Sequence, residues 1–505
     1  MRRGMSIVVG ILCLEAVSVS FAARPVARWD VVPDQVFAGR FQAGVCAFHM
    51  AGVKVEFRLG DRLLHTAERP TLNDQSGVWE FWCPLEAAEH RDGPLELSAR
   101  AIPLVDGEPH HDLPTLTLYA NAKGTLTVAR TNWVDAVNGD DANPGTAEAP
   151  YRTLAAAVIQ TPAGGVINLR AGHYTSNGLN GGHQRPYWTT IQAAPGVARD
   201  DVEIGPGRPS TQRLRWRNVT LACDFEGKHF SILNGENGKH LVWLDDCKAY
   251  NKKGRWAGGV QTLGNRYIAY ITGGITTEMG NGPSAALIRN HTIDTITSDA
   301  WTGGWKLVVN SVCRHIHPGK TGAHPDFHQS YAVAPDWIED VILYNVRGLE
   351  CVSQGLFGSR LRHAAFVNVL FKKGDTAMLS QYSGPMENVL FLHLTIPNQS
   401  WLWREGYTPV DVHMANSLLL NMSGGDRTGL TVAGNHFMDA AKAAGTEVTT
   451  GDPRFRAPAS HDYRLQPDSP ARGMARPLQC VPADIDGVPH PTTGRNRGCF
   501  ANAPE

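Results

Sequence analysis

The feature that most constrains this chain is a loose repeat of short apolar segments through its middle. Taking one apolar residue from each segment, the successive spacings are 23, 26, 20, 20, 33, 23, 25 and 23 residues. Gly, Asn and Asp separate the segments, which carry no helical periodicity. The marking residues are Val219, Val242, Ile268, Ile288, Val308, Val341, Ala364, Val389 and Val412. This period predicts a parallel β-helix, in which each coil buries its apolar face against its neighbours.

The composition narrows the classes of function. The chain has 505 residues, with 47 Lys and Arg against 48 Asp and Glu, so its charge favours neither a nucleic acid nor an anionic membrane as partner. Beyond the N-terminus, no stretch is long and apolar enough to predict a membrane span. The 52 Gly and 31 Pro residues are typical of a β protein rich in turns.

The first 23 residues have the pattern of a secretory signal peptide. Arg2 and Arg3 form a basic start, residues 5–14 are mostly apolar, and residues 20–22 end in a small-x-small cleavage pattern. We therefore expect a secreted or periplasmic protein.

The cysteines agree with export. Removal of the signal peptide leaves eight, and an even number in an exported chain suggests disulfides. Buried free thiols are the alternative that the sequence leaves open. The pairs that we consider are Cys46–Cys83 and Cys480–Cys499, with Cys223 and Cys247 one repeat apart and placed to stack on adjacent coils.

Residues 24–127 predict a separate small β domain. Residues 53–59 alternate apolar and polar side chains and end in a turn at Gly60 and Asp61. Residues 78–83 and 95–102 predict further strands. This pattern favours an immunoglobulin-like β-sandwich.

Both ends of the central region resemble a known family. A turn-rich acidic segment from Trp133 leads into a short helix at residues 154–158, which Thr153 can cap. The later segments with Asp-Pro, Asp-Tyr and Asp-Ser-Pro patterns lie at 452–455, 462–465 and 468–471. These segments resemble the secreted right-handed parallel β-helix proteins with the pectate-lyase-like fold. In that family such a helix plugs the open end of the solenoid.

The resemblance implies an all-β fold in which a right-handed parallel β-helix at residues 128–475 follows the sandwich. Residues 476–505 form a C-terminal tail. The acidic cluster of Asp135, Asp140 and Asp141 makes calcium a candidate cofactor, and turns stabilised by Asp side chains are the alternative.

The longest step of the repeat, 33 residues, carries the densest cluster of catalytic-type residues. In an extended chain, His324, Asp326 and His328 point the same way, because residues i, i+2 and i+4 share a face. Asp299 lies one coil earlier and Gln354 one coil later. We predict Asp299, His324, Asp326 and His328 as catalytic residues.

A second column of strands passes through residues 298–301, 327–331, 354–357, 377–381 and 401–404. Its outward side chains would contact a ligand in a groove long enough for an extended polymer. The predicted substrate-binding residues are Lys320, Gln329, Gln354, Gln381, Arg404 and Trp301.

Three chemistries compete for this cluster. In polysaccharide β-elimination, His324 or His328 is the base, and the uronic carboxylate is neutralised by Lys320, Arg360 or Arg404. In glycoside hydrolysis, Asp299 and Asp326 form the carboxyl pair. A metal site is the third, built from His324, Asp326 and His328 with His315 or His317.

We favour a polysaccharide lyase, because basic residues and histidines crowd the acidic ones. A glycoside hydrolase is the alternative, and a non-catalytic glycan-binding or surface protein is the other class. The expected partner is a polysaccharide.

Overall fold

The structure is a computed structural model. It describes residues 23–126, 130–179, 185–205, 207, 211–224, 241–254, 268–302, 306–318, 325–330, 332, 334–373, 380–382, 384–403, 405–425 and 427–501. The predicted signal peptide therefore lies outside the described residues, except for Ala23.

The N-terminal region forms two sheets of four and six strands, ordered β1-β3-β7-β6 and β2-β10-β8-β4-β5, with β9 paired to β8. All pairings are antiparallel except that of β2 with β10. Its strands are β1 Val26–Trp29, β2 Val36–Phe37, β3 Arg40–Phe48, β4 Val53–Leu59, β5 Arg62–Ala67, β6 Thr71–Asn73, β7 Val78–Glu86, β8 Gly93–Pro103, β9 His111–Asp112 and β10 Leu116–Ala120. The immunoglobulin type of this region stays a prediction.

The rest of the chain up to Thr450 forms one continuous arrangement of 28 strands in the described residues. The strands are β11 Thr131–Val134, β12 Val166–Leu169, β13 Gly172–Thr175, β14 Thr189–Ala193, β15 Val202–Gly205, β16 Leu214–Arg217, β17 Thr220–Cys223, β18 Leu241–Asp245, β19 Lys248–Asn251, β20 Ile268–Thr272, β21 Ile275–Met279, β22 Leu287–Arg289, β23 Thr292–Ile296, β24 Trp301–Thr302, β25 Leu307–Val309, β26 Val312–Ile316, β27 His328–Ser330, β28 Ile338–Cys351, β29 Leu356–Gly358, β30 Leu361–Lys373, β31 Ser380–Tyr382, β32 Met386–Leu392, β33 Thr395–Trp403, β34 Val410–Ala415, β35 Leu418–Gly424, β36 Leu430–Ala433, β37 His436–Phe437 and β38 Thr449–Thr450.

Strands β39 Phe455–Ala457 and β40 Asp462–Leu465 form a separate antiparallel pair.

The helices of the described residues are few and short. Helix α1 is Leu154–Gln160, and the 3₁₀ turns are Ala87–Glu89, Arg199–Asp201, Ala440–Lys442 and Pro458–Ser460. Among the described residues, no helix has the length and apolar content needed to cross a bilayer.

The 28 strands stack coil upon coil in three parallel sheets. Sheet A contains β11, β12, β14, β16, β18, β20, β22, β25, the first halves of β28 and β30, and β32, β34 and β36. Sheet B contains β13, β15, β17, β19, β21, β23, β26, the second halves of β28 and β30, the start of β33 and of β35, and β37 and β38. Sheet C contains β24, β27, β29, β31 and the ends of β33 and β35. This topology is a parallel β-helix, consistent with the right-handed winding that the sequence predicts.

The core of the β-helix is a continuous apolar column between the sheets. Its buried residues run from Val134 to Phe437. Aromatic rings stack within it from coil to coil, since Phe366 and Phe391 have ring centroids 5.1 Å apart at an interplanar angle of 17°. Each coil therefore covers the apolar surface of the next, as expected for a solenoid.

A ladder of asparagines makes the tight corner between sheets A and B. Asn310, Asn345, Asn368 and Asn416 have φ between 48° and 56°, a left-handed conformation that Asn adopts more readily than most residues. The Nδ2 atom of Asn345 donates to Oδ1 of Asn310 at 3.0 Å, and that of Asn368 donates to Oδ1 of Asn345 at 2.9 Å. These bonds pair the side-chain amides of successive corners and so help to fix the vertical register.

Helix α1 begins where the sequence predicts. The hydroxyl of its N-cap, Thr153, accepts a hydrogen bond from the amide of Ala156 at 3.2 Å. The acidic residues before it stabilise turns: Oδ1 of Asp135 accepts from the amides of residues 137 and 138, and Oδ1 of Asp141 accepts from those of residues 152 and 153. These contacts agree with the turn interpretation of the acidic cluster.

The outer face of sheet A is covered by the N-terminal sheets. Apolar side chains of the two regions form one core, in which Phe48 meets Tyr344 edge to face at 5.1 Å. Ion pairs also join the two regions, among them Arg213 with Asp34 at 2.7 Å. The C-terminal tail joins the same core through Cys480, whose thiol donates to the carbonyl of His49.

The predicted disulfides are not formed in the structure. All eight cysteines of the described residues are buried free thiols. The members of each pair contact different groups: Sγ of Cys480 lies 3.4 Å from the His49 carbonyl, whereas Sγ of Cys499 lies 3.2 Å from Oγ1 of Thr395. For Cys223 and Cys247, the structure agrees with the alternative of buried thiols.

The asparagine ladder gives a first prediction. Asn368 is fully buried and also donates to the carbonyl of Ala483 at 2.9 Å, so Asn368→Ala leaves two acceptors without their donor. We expect the free energy of unfolding to fall by about 2–4 kcal/mol, measured by denaturant titration. Asn368→Gly loses the same hydrogen bonds, but glycine adopts the positive φ of this position without the steric cost that alanine has. The glycine variant should therefore be more stable than the alanine variant by about 1 kcal/mol. A change within ~0.5 kcal/mol in the alanine variant would contradict a structural role for the ladder.

Candidate functional site

The candidate site lies in the turn that leads from sheet B into sheet C. Trp301 is paired with His328, and His328 with Leu356, on three successive coils. The residues two positions earlier on these coils are Asp299, Asp326 and Gln354. The register therefore stacks these three polar residues one coil apart, as the sequence predicts.

Hydrogen bonds fix the two carboxyl groups relative to one another. Oδ1 of Asp299 accepts from the backbone amide of Asp326 at 2.8 Å. Oδ2 of Asp326 accepts from Nε2 of Gln329 at 2.8 Å. Oδ1 of Asp326 is buried and has no hydrogen-bond partner among the described residues. One carboxyl is thus held by its neighbour's backbone, and the other has one oxygen anchored and one oxygen unengaged.

Burial and the repulsion between the two carboxyl groups raise their pKa values to different extents. Burial raises the pKa of Asp299 to about 6. Burial, together with the nearby Asp299 carboxylate, raises the pKa of Asp326 to about 8, although the hydrogen bond from Gln329 opposes the shift. Near pH 7 the pair therefore holds one proton, on Asp326. Because Oδ2 accepts from Gln329, that proton belongs on Oδ1.

Two predicted site residues face the interior instead. The side chains of His328 and Trp301 are fully buried, and Nε2 of His328 shares a hydrogen bond with Oγ of Ser330 at 2.8 Å. The imidazole also meets Phe366 edge to face at 5.1 Å, and burial lowers its pKa to about 3. Both side chains therefore lie in the core of this structure, and their predicted roles in catalysis and substrate binding stay predictions.

The remaining predicted residues fall into three groups. Gln329 and Gln354 are half-buried in the turn and the following strand, and the amide of Gln354 donates to the carbonyl of Pro325 at 2.9 Å. Gln381 lies in β31, but its side chain is outside the described part. His324, Lys320 and Arg404 lie outside the described residues.

The metal site proposed from the histidine cluster is not assembled by the described residues. His328 faces the core, and His315 lies on sheet B between two carboxylates. Its Nδ1 is 2.6 Å from Asp294 and its Nε2 is 2.5 Å from Glu350. The hydrogen bond with Asp294 raises the pKa of His315, which favours an imidazolium in a charge network rather than a metal ligand.

A different group of possible ligands escaped the sequence analysis. Asp30, Cys46 and Glu80 bring one donor atom each to within 4.8 Å of one another, and all three are buried. They come from a loop and two strands of the N-terminal sheets, with no spacing typical of a metal motif. Only the alternation of strand β7, which places Glu80 on the buried face, could have drawn attention to it.

The raised pKa of Asp326 gives a prediction for stability. The folded state keeps the proton that the unfolded chain releases near pH 4, so the wild type loses stability as pH rises from about 4 to about 8. The Asp326→Asn variant has no carboxyl group at this position, so it does not lose stability in this way. We expect its advantage over the wild type to grow with pH and to reach at least about 2 kcal/mol at pH 8, measured by denaturant titration.

The control for this measurement is Asp61→Asn, which changes an exposed carboxyl in the turn between β4 and β5. Over the same pH range, the change in stability difference with pH should be larger for Asp326→Asn than for this variant. A difference that stays constant for Asp326→Asn would contradict the raised pKa.

Comparisons with known proteins find one family model and several solved structures that are similar to parts of this chain. Residues 137–180 match a family described as a protein of unknown function, DUF1565. No curated protein matches the chain. Among solved structures, XylC in complex with xylose is similar, with 9% identity and a TM-score of 0.41, and the match covers 74% of this chain and 99% of that one.

Two further solved structures are similar at low identity. Pectate lyase Pel9A has 13% identity and a TM-score of 0.34, covering 75% of this chain and 98% of its own. The GH136 lacto-N-biosidase from Eubacterium ramulus has 11% identity and a TM-score of 0.31, covering 64% and 68%. With its coils paired in parallel through sheets A, B and C, the chain has the parallel β-helix fold that its sequence resemblance predicts.

Proposed function

We propose that this protein acts on a polysaccharide by acid–base chemistry at the Asp299–Asp326 pair. The observation that carries the proposal is that adjacent coils stack two carboxyl groups whose pKa values differ, at about 6 and about 8. Hydrolysis of a glycosidic bond needs such a pair, in which one group donates a proton and the other acts as a carboxylate.

The proposed roles follow from the hydrogen bonds. In this proposal Asp326 protonates the glycosidic oxygen of the leaving group from Oδ1, because its Oδ2 is engaged by Gln329. Oδ1 is buried in the structure, so the proposal requires the turn to open when the glycan binds. Asp299 is ionised, with Oδ1 occupied by the amide of Asp326, which leaves its Oδ2 for the reacting carbon. Gln329 is a positioning residue that keeps the Asp326 carboxyl in one orientation.

The spacing of the pair favours one stereochemical outcome. Residues aligned on adjacent coils lie about 4.8 Å apart in the hydrogen-bonding direction. Retaining glycosidases hold their carboxyl groups about 5–5.5 Å apart, and inverting enzymes hold them about 6.5–9.5 Å apart. On the premise that the two carboxyl groups keep the spacing of their backbones, we propose a retaining hydrolase. Asp299 forms a glycosyl-enzyme bond as the Asp326 proton passes to the leaving oxygen, and water later cleaves that bond.

The hydrolase is now preferred to the lyase that the sequence favours. A lyase needs a base beside the uronic carbon and a cation on its carboxylate. The described histidine of the cluster, His328, is buried in the core. The lyase alternative therefore rests on His324 as its base, a residue that lies outside the described part of the chain.

Activity should follow a bell-shaped dependence on pH. Asp299 must be ionised and Asp326 protonated, so kcat/KM is expected to rise through about pH 6 and fall through about pH 8. The assay is reducing-end release from a panel of neutral and uronic-acid polysaccharides. An optimum near pH 4, or a rate that increases steadily above pH 8, would contradict these roles.

Variants of the pair test the roles directly. Asp299→Asn and Asp326→Asn should each lower kcat by at least about 100-fold, since each removes a group that takes part in the transition state. Asp294→Asn, which changes a carboxyl on sheet B, should leave kcat within about twofold of the wild type. The anomer released first, observed by NMR, should have the configuration of the substrate.

The same assay separates the alternatives. Absorbance of unsaturated products would show a lyase instead of a hydrolase. Binding to a polysaccharide without release of reducing ends would show a glycan-binding protein, and the carboxyl pair would then have only a structural role.

A further inference from the structure

A second polar site lies between the N-terminal sheets and sheet A, away from the carboxyl pair. Its members are Asp30 after β1, Cys46 on β3 and Glu80 on β7. All three are at least 98% buried. One donor atom of each lies within 4.8 Å of the others, and Sγ of Cys46 is 4.0 Å from Oε2 of Glu80.

The surrounding groups position Glu80 with one oxygen engaged. Its Oε1 accepts from Nδ2 of Asn73 and from Oγ of Ser76, each at 2.8 Å. The carboxylate lies over Gly44, where a Cβ atom would come within 2.2 Å of Oε1. Only glycine leaves room for the acid at this point, and Oε2 is left to face Cys46.

Asp30 is oriented in a similar way. Its Oδ1 and its carbonyl oxygen accept from Nη1 of Arg289, at 2.9 and 3.0 Å. Its Oδ2 is buried and has no hydrogen-bond partner among the described residues. A buried carboxylate oxygen with no donor is costly, so this atom points to a ligand.

The charges of the ligated group suit a divalent cation. Burial raises the pKa of the Cys46 thiol and of the Glu80 carboxyl, so both hold their protons until an ion binds. Once an ion displaces these protons, Arg289 and the divalent cation together neutralise two carboxylates and a thiolate. The donor set of two carboxylate oxygens and one sulfur suits a borderline-soft ion such as Zn²⁺, which takes four ligands in a tetrahedron.

An open coordination position is available. A polar cavity of about 240 Å³ adjoins the group and is lined by Asp30, Gln42, Asn73, Gln75, Ser76 and Arg289. A water molecule in this cavity can complete the tetrahedron. The cavity also offers the ion a route towards Asp30.

We propose that Asp30, Cys46 and Glu80 bind a divalent transition-metal ion of the zinc class that fastens the N-terminal sheets to the β-helix. The ion lies beside Arg289 of β22, which ties Asp30 to sheet A. Binding replaces the protons that Cys46 and Glu80 would otherwise hold in a buried site, and these protons pass to solvent.

The experiment uses the full chain after removal of metal by a chelator. Co²⁺ is added as a spectroscopic probe, and Zn²⁺ is then titrated in competition. We expect a thiolate-to-cobalt charge-transfer band at one equivalent, which Zn²⁺ abolishes. Cys46→Ala should lose the band, whereas Cys83→Ala, which removes another buried cysteine of the same sheet, should keep it.

A variant that leaves the three ligands intact tests the supporting contacts. Ser76→Ala removes one donor to Glu80 and should weaken Zn²⁺ binding about 10–100-fold while the band remains. The proposal is overturned if the wild type binds no Co²⁺ with a thiolate band, or if Cys46→Ala keeps it.

X-ray absorption of the zinc-loaded wild type provides a test that needs no variant. One sulfur neighbour at about 2.3 Å with oxygen neighbours at about 2.0–2.2 Å is expected. A shell with no sulfur would contradict the site, and would indicate instead that Glu80 is a protonated acid bonded within the protein.

Discussion

Hydrogen bonding between successive coils is the interaction on which the other features of this structure depend. Each strand pairs in parallel with the strand one coil later, so residues distant in sequence align at one strand spacing. Asp299 and Asp326 are 27 positions apart, yet the side chain of one accepts from the backbone of the other. A shift of one residue in either coil would send one of the two carboxyls to another face.

The stacking of the coils also explains why the pKa values of Asp299 and Asp326 are raised. The turn between sheets B and C buries the whole segment from Asp326 to His328 at the edge of the apolar core. A carboxyl in such a position retains its proton, and a second carboxyl one coil away makes ionisation still less favourable. Stacking thus supplies both causes of the shift at once, and the neutral amide of Gln329 orients the pair without cancelling it.

Much of the fold could be predicted from the sequence, because a solenoid repeats its apolar pattern. The marking residues from Val242 to Val412 all lie in strands of sheet A, and the second predicted column corresponds to sheet C. The cap at Thr153 was also predicted correctly. These features depend on local chemistry and on spacing, both of which a single sequence displays.

The direction of individual side chains was harder to predict. Alternation places His324, Asp326 and His328 on one face, but the structure buries residues 326, 327 and 328 in succession, because the chain turns there before it enters β27. The contact of Asp30 with Arg289 joins positions 259 apart and depends on how two regions dock. No periodicity within either region carries that information.

The most direct test of the account is the pKa of the Asp326 carboxyl itself. Carbon-13 NMR of the aspartate carboxyl groups, with the Asp326→Asn spectrum for assignment, follows this group through a pH titration in the folded protein. We predict a midpoint near pH 8, well above the ordinary value of an aspartate. A midpoint near 4 would show that Asp326 is ionised at neutral pH, and it would contradict its role as the proton donor.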